Sequence, residues 1–75
     1  EMCIRDRAYE IFGKLRRMNL QRDTTVVISA NPIVAELLSD EERQGIEGIE
    51  RKYNVKLVVN KEDNLHQEHY DISIL

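Results

Sequence analysis

The chain has 75 residues and a formal net charge of −3, and 33% of its residues are charged. A domain of this size buries only about 60% of the surface of its unfolded chain, so it has room for one core and little for a deep catalytic pocket. Its acidic balance does not indicate nucleic acid as a main partner. Its 41% hydrophobic content excludes a disordered chain. No apolar run approaches the ~18–20 residues of a membrane span.

The first seven residues contain the single cysteine of the chain and show no signal-peptide pattern. Cys3 is the single cysteine, so the chain cannot close an internal disulfide or a Cys-x-x-Cys zinc knuckle. The stretch from Met2 to Arg7 is charged, which differs from the apolar segment of a signal peptide. We therefore expect a cytoplasmic protein with no membrane contact.

The first predicted helix runs from Ala8 to Met18. Its apolar residues recur every three or four positions and form one face: Ala8, Ile11, Phe12, Leu15 and Met18. Glu10 and Lys14 lie on another face, at the spacing of a favourable ion pair.

A buried strand and a short helix follow. The segment 24–30, "TTVVISA", is rich in β-branched residues and predicts a strand. Asn31 is a good N-cap and Pro32 suits the first helical position, so a helix begins directly after the strand. Its predicted inward side chains are Val34, Leu37 and Leu38.

A second helix is predicted from Ser39, because Ser39 and Glu42 have the spacing of a capping box. Its inward face consists of Ile46, Ile49 and Tyr53. Asn54 suits the left-handed position that ends a helix.

Two more strands complete the chain, "VKLVVN" from Val55 and "YDISIL" from Tyr70. The element order α-β-α-α-β-β predicts an α+β fold with two layers, in which the helices cover one face of a three-stranded sheet. A right-handed crossover places strand one parallel to strand two. We expect strands two and three to pair antiparallel, with strand three in the middle of the sheet.

The segment "LHQEHYDI", residues 65–72, is the first candidate for a chemical site. In a strand, His66 and Glu68 would share a face and His69 would point the other way. A zinc site needs three or four converging ligands, so we favour a polar loop that leads into a strand. We predict no metal site and no catalytic residue in this chain.

The segment "GIEG", residues 45–48, has the G-x-x-G pattern with which KH domains clamp RNA. These glycines fall inside the predicted second helix, and Glu47 and Glu50 would repel phosphate. We favour close packing of the helix, and a small KH-like RNA-binding module remains the alternative function.

One cluster of basic residues is the candidate nucleic-acid contact, and it consists of Lys14, Arg16, Arg17 and Arg22. Such side chains can contact phosphates. A solvated helix face is the simpler interpretation, since no aromatic residue lies between them for base stacking.

Four segments together resemble a known family: "AYEIFGKLRRMN", "VVISANPIVAELL", "IEGIERKYNVKLVV" and "LHQEHYDI". In this order they are similar to the C-terminal end of bacterial ribonuclease E/G proteins, and the resemblance covers residues 8–75. It rests on order and spacing, because none of the four segments is a catalytic motif.

The resemblance implies a small terminal domain that takes part in assembly of a homo-oligomer, in an endoribonuclease whose substrate is RNA. The family's magnesium-binding carboxylates and its S1-type domain lie upstream, as does the Cys-Pro-x-Cys element that shares zinc between subunits. No residue here matches these groups, so we expect no cofactor in this chain. We predict a scaffold or oligomerisation role.

The segment "MCIRDR", residues 2–7, departs from the family and resembles translated sequencing-adapter read-through. We therefore expect that residues 1–7 are foreign, that residues 8–75 form the single domain, and that the natural gene continues upstream. That upstream frame should encode the Cys-Pro-x-Cys element and the nuclease domain.

Overall fold

The computed structural model describes residues 4–75. The predicted element order and the α+β class are confirmed. Cys3 lies outside the described residues. The elements are α1 (Ile4–Arg17), β1 (Thr25–Ala30), α2 (Pro32–Ser39), α3 (Arg43–Tyr53), β2 (Lys56–Lys61) and β3 (Tyr70–Ile74).

Helix α1 is longer than predicted, because it begins at Ile4 and not at Ala8. Ile4 packs against the core, and Arg7 is buried. The apolar face predicted for this helix is confirmed, with Ile11 and Leu15 fully buried. The proposed boundary at residue 8 thus falls within α1, and the foreign origin of residues 1–7 stays a prediction.

Helix α2 begins as predicted and ends later than predicted. The Asn31 side chain accepts the Ile33 N–H at 2.9 Å, and Pro32 is the first helical residue. Ser39 is the last residue of α2, so the predicted capping box is wrong. Glu42 precedes α3 without a side-chain cap, because its carboxylate pairs with Arg5.

Helix α3 ends as the sequence predicts. Asn54 adopts the left-handed conformation, with φ of 54°, and its N–H bonds the Glu50 carbonyl oxygen. This residue type tolerates positive φ better than most. The turn leads straight into β2.

The strand order is β2-β1-β3, so the prediction that β3 lies in the middle is wrong. The parallel pairing of β1 with β2 is confirmed, with Val26 opposite Leu57. The predicted pairing of β2 with β3 is also wrong, since β3 pairs antiparallel with β1 and Ile28 lies opposite Ile72. The segment 62–69 crosses the end of β1, where the Glu62 N–H bonds the Ala30 carbonyl oxygen at 2.8 Å.

The core lies between the helices and one face of the sheet. In β1, Val26, Ile28 and Ala30 are fully buried, while the alternating residues between them are only half-buried. This alternation puts the helices on one face of the sheet. Buried apolar residues of the helices complete the core: Ala8, Ile11, Phe12, Leu15, Val34, Ala35, Leu38, Ile46 and Ile49.

Candidate functional site

The basic cluster lies at the end of α1 and in the turn that follows it. Lys14, Arg16, Arg17 and Arg22 are all exposed. None of the four forms an ion pair with another residue in 4–75. Residues two apart on a helix point about 200° apart, so Lys14 and Arg16 lie on different sides of α1. The cluster is therefore a spread of free cations and not a pocket, and its contact with nucleic acid stays a prediction.

A polar network beside this cluster joins α1 to β3. The Tyr70 hydroxyl donates to the Glu10 carboxylate at 3.2 Å, and Arg7 pairs with the same carboxylate. Partial burial, and then the charge of Glu10, raise the pKa of Tyr70 above its usual value. Glu10 thus serves Arg7 and Tyr70 and does not form the predicted pair with Lys14. This network ties the edge strand to the first helix.

Sequence reasoning missed Arg7, which belongs to this network. The signal was its spacing, because a residue four positions before Ile11 lies on the apolar face of the helix. The Nε atom of Arg7 is buried and has no hydrogen-bond partner among residues 4–75. A buried polar atom without a partner costs stability, so this side chain fits its position poorly.

The His66–Glu68–His69 segment is a turn before β3, as the polar-loop interpretation predicts. The Glu68 N–H donates to Nδ1 of His66 at 3.2 Å, and the His69 N–H bonds the His66 carbonyl oxygen at 2.9 Å. The two imidazole rings are 6.0 Å apart between centroids and are exposed. These contacts define the turn, and the carboxylate of Glu68 takes no part in them.

Asn31 holds the crossing segment in place as well as capping α2. While its oxygen accepts the Ile33 N–H, its Nδ2 donates to the Leu65 carbonyl oxygen at 2.9 Å. Both ends of the amide are thereby used. The Asn31 side chain fixes the position of the loop that carries the histidines, and this contact was not evident from the sequence.

The glycines of "GIEG" lie within α3 and form no loop between helices. A Cβ atom added at Gly45 would lie 2.8 Å from the Phe12 ring, whereas one added at Gly48 would meet nothing within 4 Å. Gly45 is therefore needed for close packing of α3 on α1, as predicted. Gly48 has no such use.

A shallow cleft of about 460 Å³ lies between the start of α1 and α2. Its rim is mostly acidic, and its lining residues are Ile4, Arg5, Ile33, Glu36, Leu37, Asp40 and Glu41. The Arg5 guanidinium donates to Glu41 at 2.8 Å, which holds the pKa of Arg5 above its usual range. This pairing neutralises part of the rim, and Ile33 on the rim is half-exposed.

No part of the described chain gathers a metal site. Within residues 4–75 there is no group of three or more His, Cys, Asp or Glu side chains placed to hold an ion. The same residues include no helix with the length and apolarity to cross a membrane.

Fold and side chains together define a small two-layer α+β domain whose conspicuous polar groups tie its elements to one another. The family model described as RNase E/G, thioredoxin-like domain matches residues 4–75. The chain therefore belongs to the RNase E/G family, as the sequence resemblance predicts. No curated protein matches the chain.

The family's description names a thioredoxin-like domain. The Cys-x-x-Cys dithiol of thioredoxin itself requires two cysteines. The chain has one, Cys3.

Proposed function

We propose that the chain is a non-catalytic, C-terminal domain of an RNase E/G-type endoribonuclease, with a role in assembly of the homo-oligomer. The family match over residues 4–75 is the observation that carries the RNase E/G origin. The C-terminal position and the assembly role extend what the sequence resemblance implies. RNA is then the substrate of the parent enzyme and not of this domain. A cytoplasmic location belongs to the same proposal.

The use of the polar side chains supports a structural role. Asn31 caps α2 and holds the loop at Leu65, the Glu50 carboxylate accepts a backbone N–H of β2, and His66 accepts one in its own turn. Each of these groups is occupied by the chain itself. These contacts engage one atom of each side chain in holding the fold together, and the cleavage assay below tests the remaining ring nitrogen of His66, Nε2.

The family's metals do not fit this chain. A Cys-Pro-x-Cys element needs two cysteines, and the chain has only Cys3. The carboxylates within residues 4–75 form no group suited to magnesium. We propose that zinc and magnesium, which the family resemblance implies, belong to other parts of the parent protein, and we assign no reaction step to this domain.

A cleavage assay tests the non-catalytic part of the proposal. The purified chain is incubated with a 5′-monophosphorylated single-stranded RNA and Mg²⁺, and the RNA is analysed for cuts. We expect none. Specific cutting that disappears in His66→Ala would overturn this part and establish an active site at the histidine turn.

Sedimentation equilibrium tests the assembly part. The mean mass of the chain should rise from that of a monomer toward that of a dimer as its concentration increases. A strictly monomeric chain at millimolar concentration would overturn the assembly role.

The KH-like alternative predicts tight RNA binding that depends on Gly45 and Gly48. The position of these glycines inside α3 does not favour it.

A further inference from the structure

The outer edge of β3 has a free backbone. The Leu75 N–H donates to the Thr25 carbonyl oxygen at 2.9 Å, so it points toward β1. Backbone groups alternate between the two sides of a strand, and the N–H and C=O groups of Ile72 and Ile74 therefore point away from β1. No strand within residues 4–75 lies on that side.

The other edge of the sheet is protected. At β2, the outward N–H of Leu57 is bonded by the Glu50 carboxylate at 2.8 Å. Lys56 and Lys61 stand at the two ends of this strand. Lysines and capped donors are the usual means by which proteins prevent pairing at a sheet edge, and β2 has both.

Strand β3 lacks these means. Its sequence, "YDISI", has no lysine, proline or glycine, and its one charge is Asp71. Ile74 is 52% exposed, and the next residue, Leu75, is 81% exposed. An edge with unpaired backbone groups and exposed apolar side chains is a template for another strand.

We infer that the outer edge of β3 pairs antiparallel with β3 of a second copy of this chain, an inference that rests on the assembly role proposed above. Two-fold symmetry uses the same edge in both copies. The product is a continuous six-stranded sheet in the order β2-β1-β3-β3-β1-β2, with the helices of both copies on one face.

The side chains of β3 are complementary to themselves in one register. When Ile72 lies opposite its counterpart, Tyr70 faces Ile74 and Asp71 faces Ser73. This register brings the outward backbone groups together as hydrogen-bonded pairs. It also keeps the two Asp71 carboxylates from facing each other, which would be destabilising. A second copy thus suits this edge without any partner of different sequence.

The test compares two isoleucines of nearly equal exposure. Ile74, on β3, is 52% exposed and Ile33, at the cleft, is 50% exposed. Ile74→Lys introduces the charge that protects natural edges, and we expect the dimer dissociation constant to rise at least about tenfold. Ile33→Lys makes the same change in charge elsewhere and should leave it unaltered. Sedimentation equilibrium gives the constants, and circular dichroism checks the folding of both variants.

A backbone variant tests the pairing itself. Ile74→Pro removes an N–H that points outward and spares the bonds to β1, a position that sheets tolerate. We expect it to prevent dimerisation as Ile74→Lys does.

The outcomes separate the two proposals. A monomeric wild-type chain would overturn the assembly role together with this inference. A dimer that is broken by Ile33→Lys and unaffected by the two Ile74 variants would retain the assembly role, move the interface to the cleft and overturn the inference.

Discussion

The Glu50 carboxylate, on α3, accepts the backbone N–H of Leu57, on β2, at 2.8 Å. The N–H of the preceding residue, Lys56, bonds the Thr24 carbonyl oxygen at 2.9 Å and so points toward the middle of the sheet. The Leu57 N–H consequently points outward. Glu50 therefore binds the helix to the strand that follows it and occupies a donor at the sheet edge.

Glu50→Ala should lower the free energy of unfolding by about 1–3 kcal/mol, because it leaves the Leu57 N–H without its acceptor. Glu50→Gln should cost less, since an amide oxygen still accepts. Glu47→Ala is the control, because Glu47 on the same helix has only an exposed pair with Arg43 at 3.1 Å, worth about 0–1 kcal/mol. Urea unfolding followed by circular dichroism gives the values, and equal losses at Glu50 and Glu47 would contradict the edge contact.

Replacing each of the two glycines of α3 with alanine should change the free energy of unfolding in opposite directions. Gly45→Ala forces a Cβ to within 2.8 Å of the buried Phe12 ring and should cost about 1–3 kcal/mol. Gly48→Ala meets open space and should stabilise the protein by about 1 kcal/mol through helix propensity. Thermal unfolding of both variants measures the difference. A stable Gly45→Ala variant would show that α1 and α3 are not in close contact there.

The start of α2 and the end of α3 could be predicted because local rules decide them. The Asn31 cap, the first-turn Pro32 and the left-handed Asn54 depend only on neighbouring backbone groups. The Ser39–Glu42 capping box failed because Ser39 continues α2 as its last residue, and the Glu42 carboxylate pairs with Arg5, which is distant in the sequence. A local pattern cannot reveal such a competitor.

The charge on each strand of the sequence indicates the strand order. Strand β1, "TVVISA", has no charge, whereas β2 carries Lys56 and Lys61 and β3 carries Asp71. A strand flanked on both sides is the most buried, so the uncharged strand belongs in the middle. Loop length was a poorer guide, because the segment 62–69 is long enough to cross β1 and is held there by Asn31.

The candidate site was predictable in composition and not in arrangement. The basic residues Lys14, Arg16 and Arg17 were evident, and their spread around α1 follows from helical geometry alone. The contact of Tyr70 with Glu10 joins residues 60 positions apart. Such a contact requires the strand order, and it could not be predicted before the order was known.

Arg7→Met should stabilise the domain by roughly 1 kcal/mol. The buried Arg7 Nε has no partner among residues 4–75, and replacing a poorly satisfied buried charge with an apolar side chain of similar length is often favourable. Glu10 keeps its hydrogen bond from Tyr70. Urea unfolding of the two proteins measures the change, and a loss greater than about 1 kcal/mol would show that the pair with Glu10 outweighs the unsatisfied atom.

Deletion of residues 1–7 should be far less damaging than a charge in the core. The deletion removes the ion pairs of Arg5 and Arg7 and the partial burial of Ile4, with an expected cost of roughly 2 kcal/mol or less. Leu57→Asp buries an unpaired carboxylate and should unfold the domain. Circular dichroism of the two variants measures how much folded protein remains. An equal loss of folding in both would contradict the foreign origin of residues 1–7.

Tyr70 should make stability depend on pH in the alkaline range. Its pKa is raised in the folded state above the ordinary value of 10.0, so its contribution to stability is fully present below about pH 10. That contribution is lost as the pH rises through the folded-state pKa. The wild-type protein should therefore lose stability above pH 10 relative to Tyr70→Phe, as measured by urea unfolding at several pH values. Parallel curves for the two proteins would contradict the raised pKa.

RNA binding by the chain should be weak and electrostatic. Four exposed cations release counterions with a slope of about −0.7 each, so the log–log salt dependence for a single strand should be no steeper than about −3. Replacing Lys14 and Arg17 with Gln should flatten the slope by about 1.4.

The control replaces Arg51 and Lys52, which are exposed cations in the last turn of α3, and makes the same change in net charge. Because overall charge alone would affect both double variants equally, only the first should flatten the slope if the contact lies at the end of α1. Fluorescence anisotropy with a labelled single strand gives the slopes, and equal slopes in the two variants would remove the cluster from any role in RNA contact.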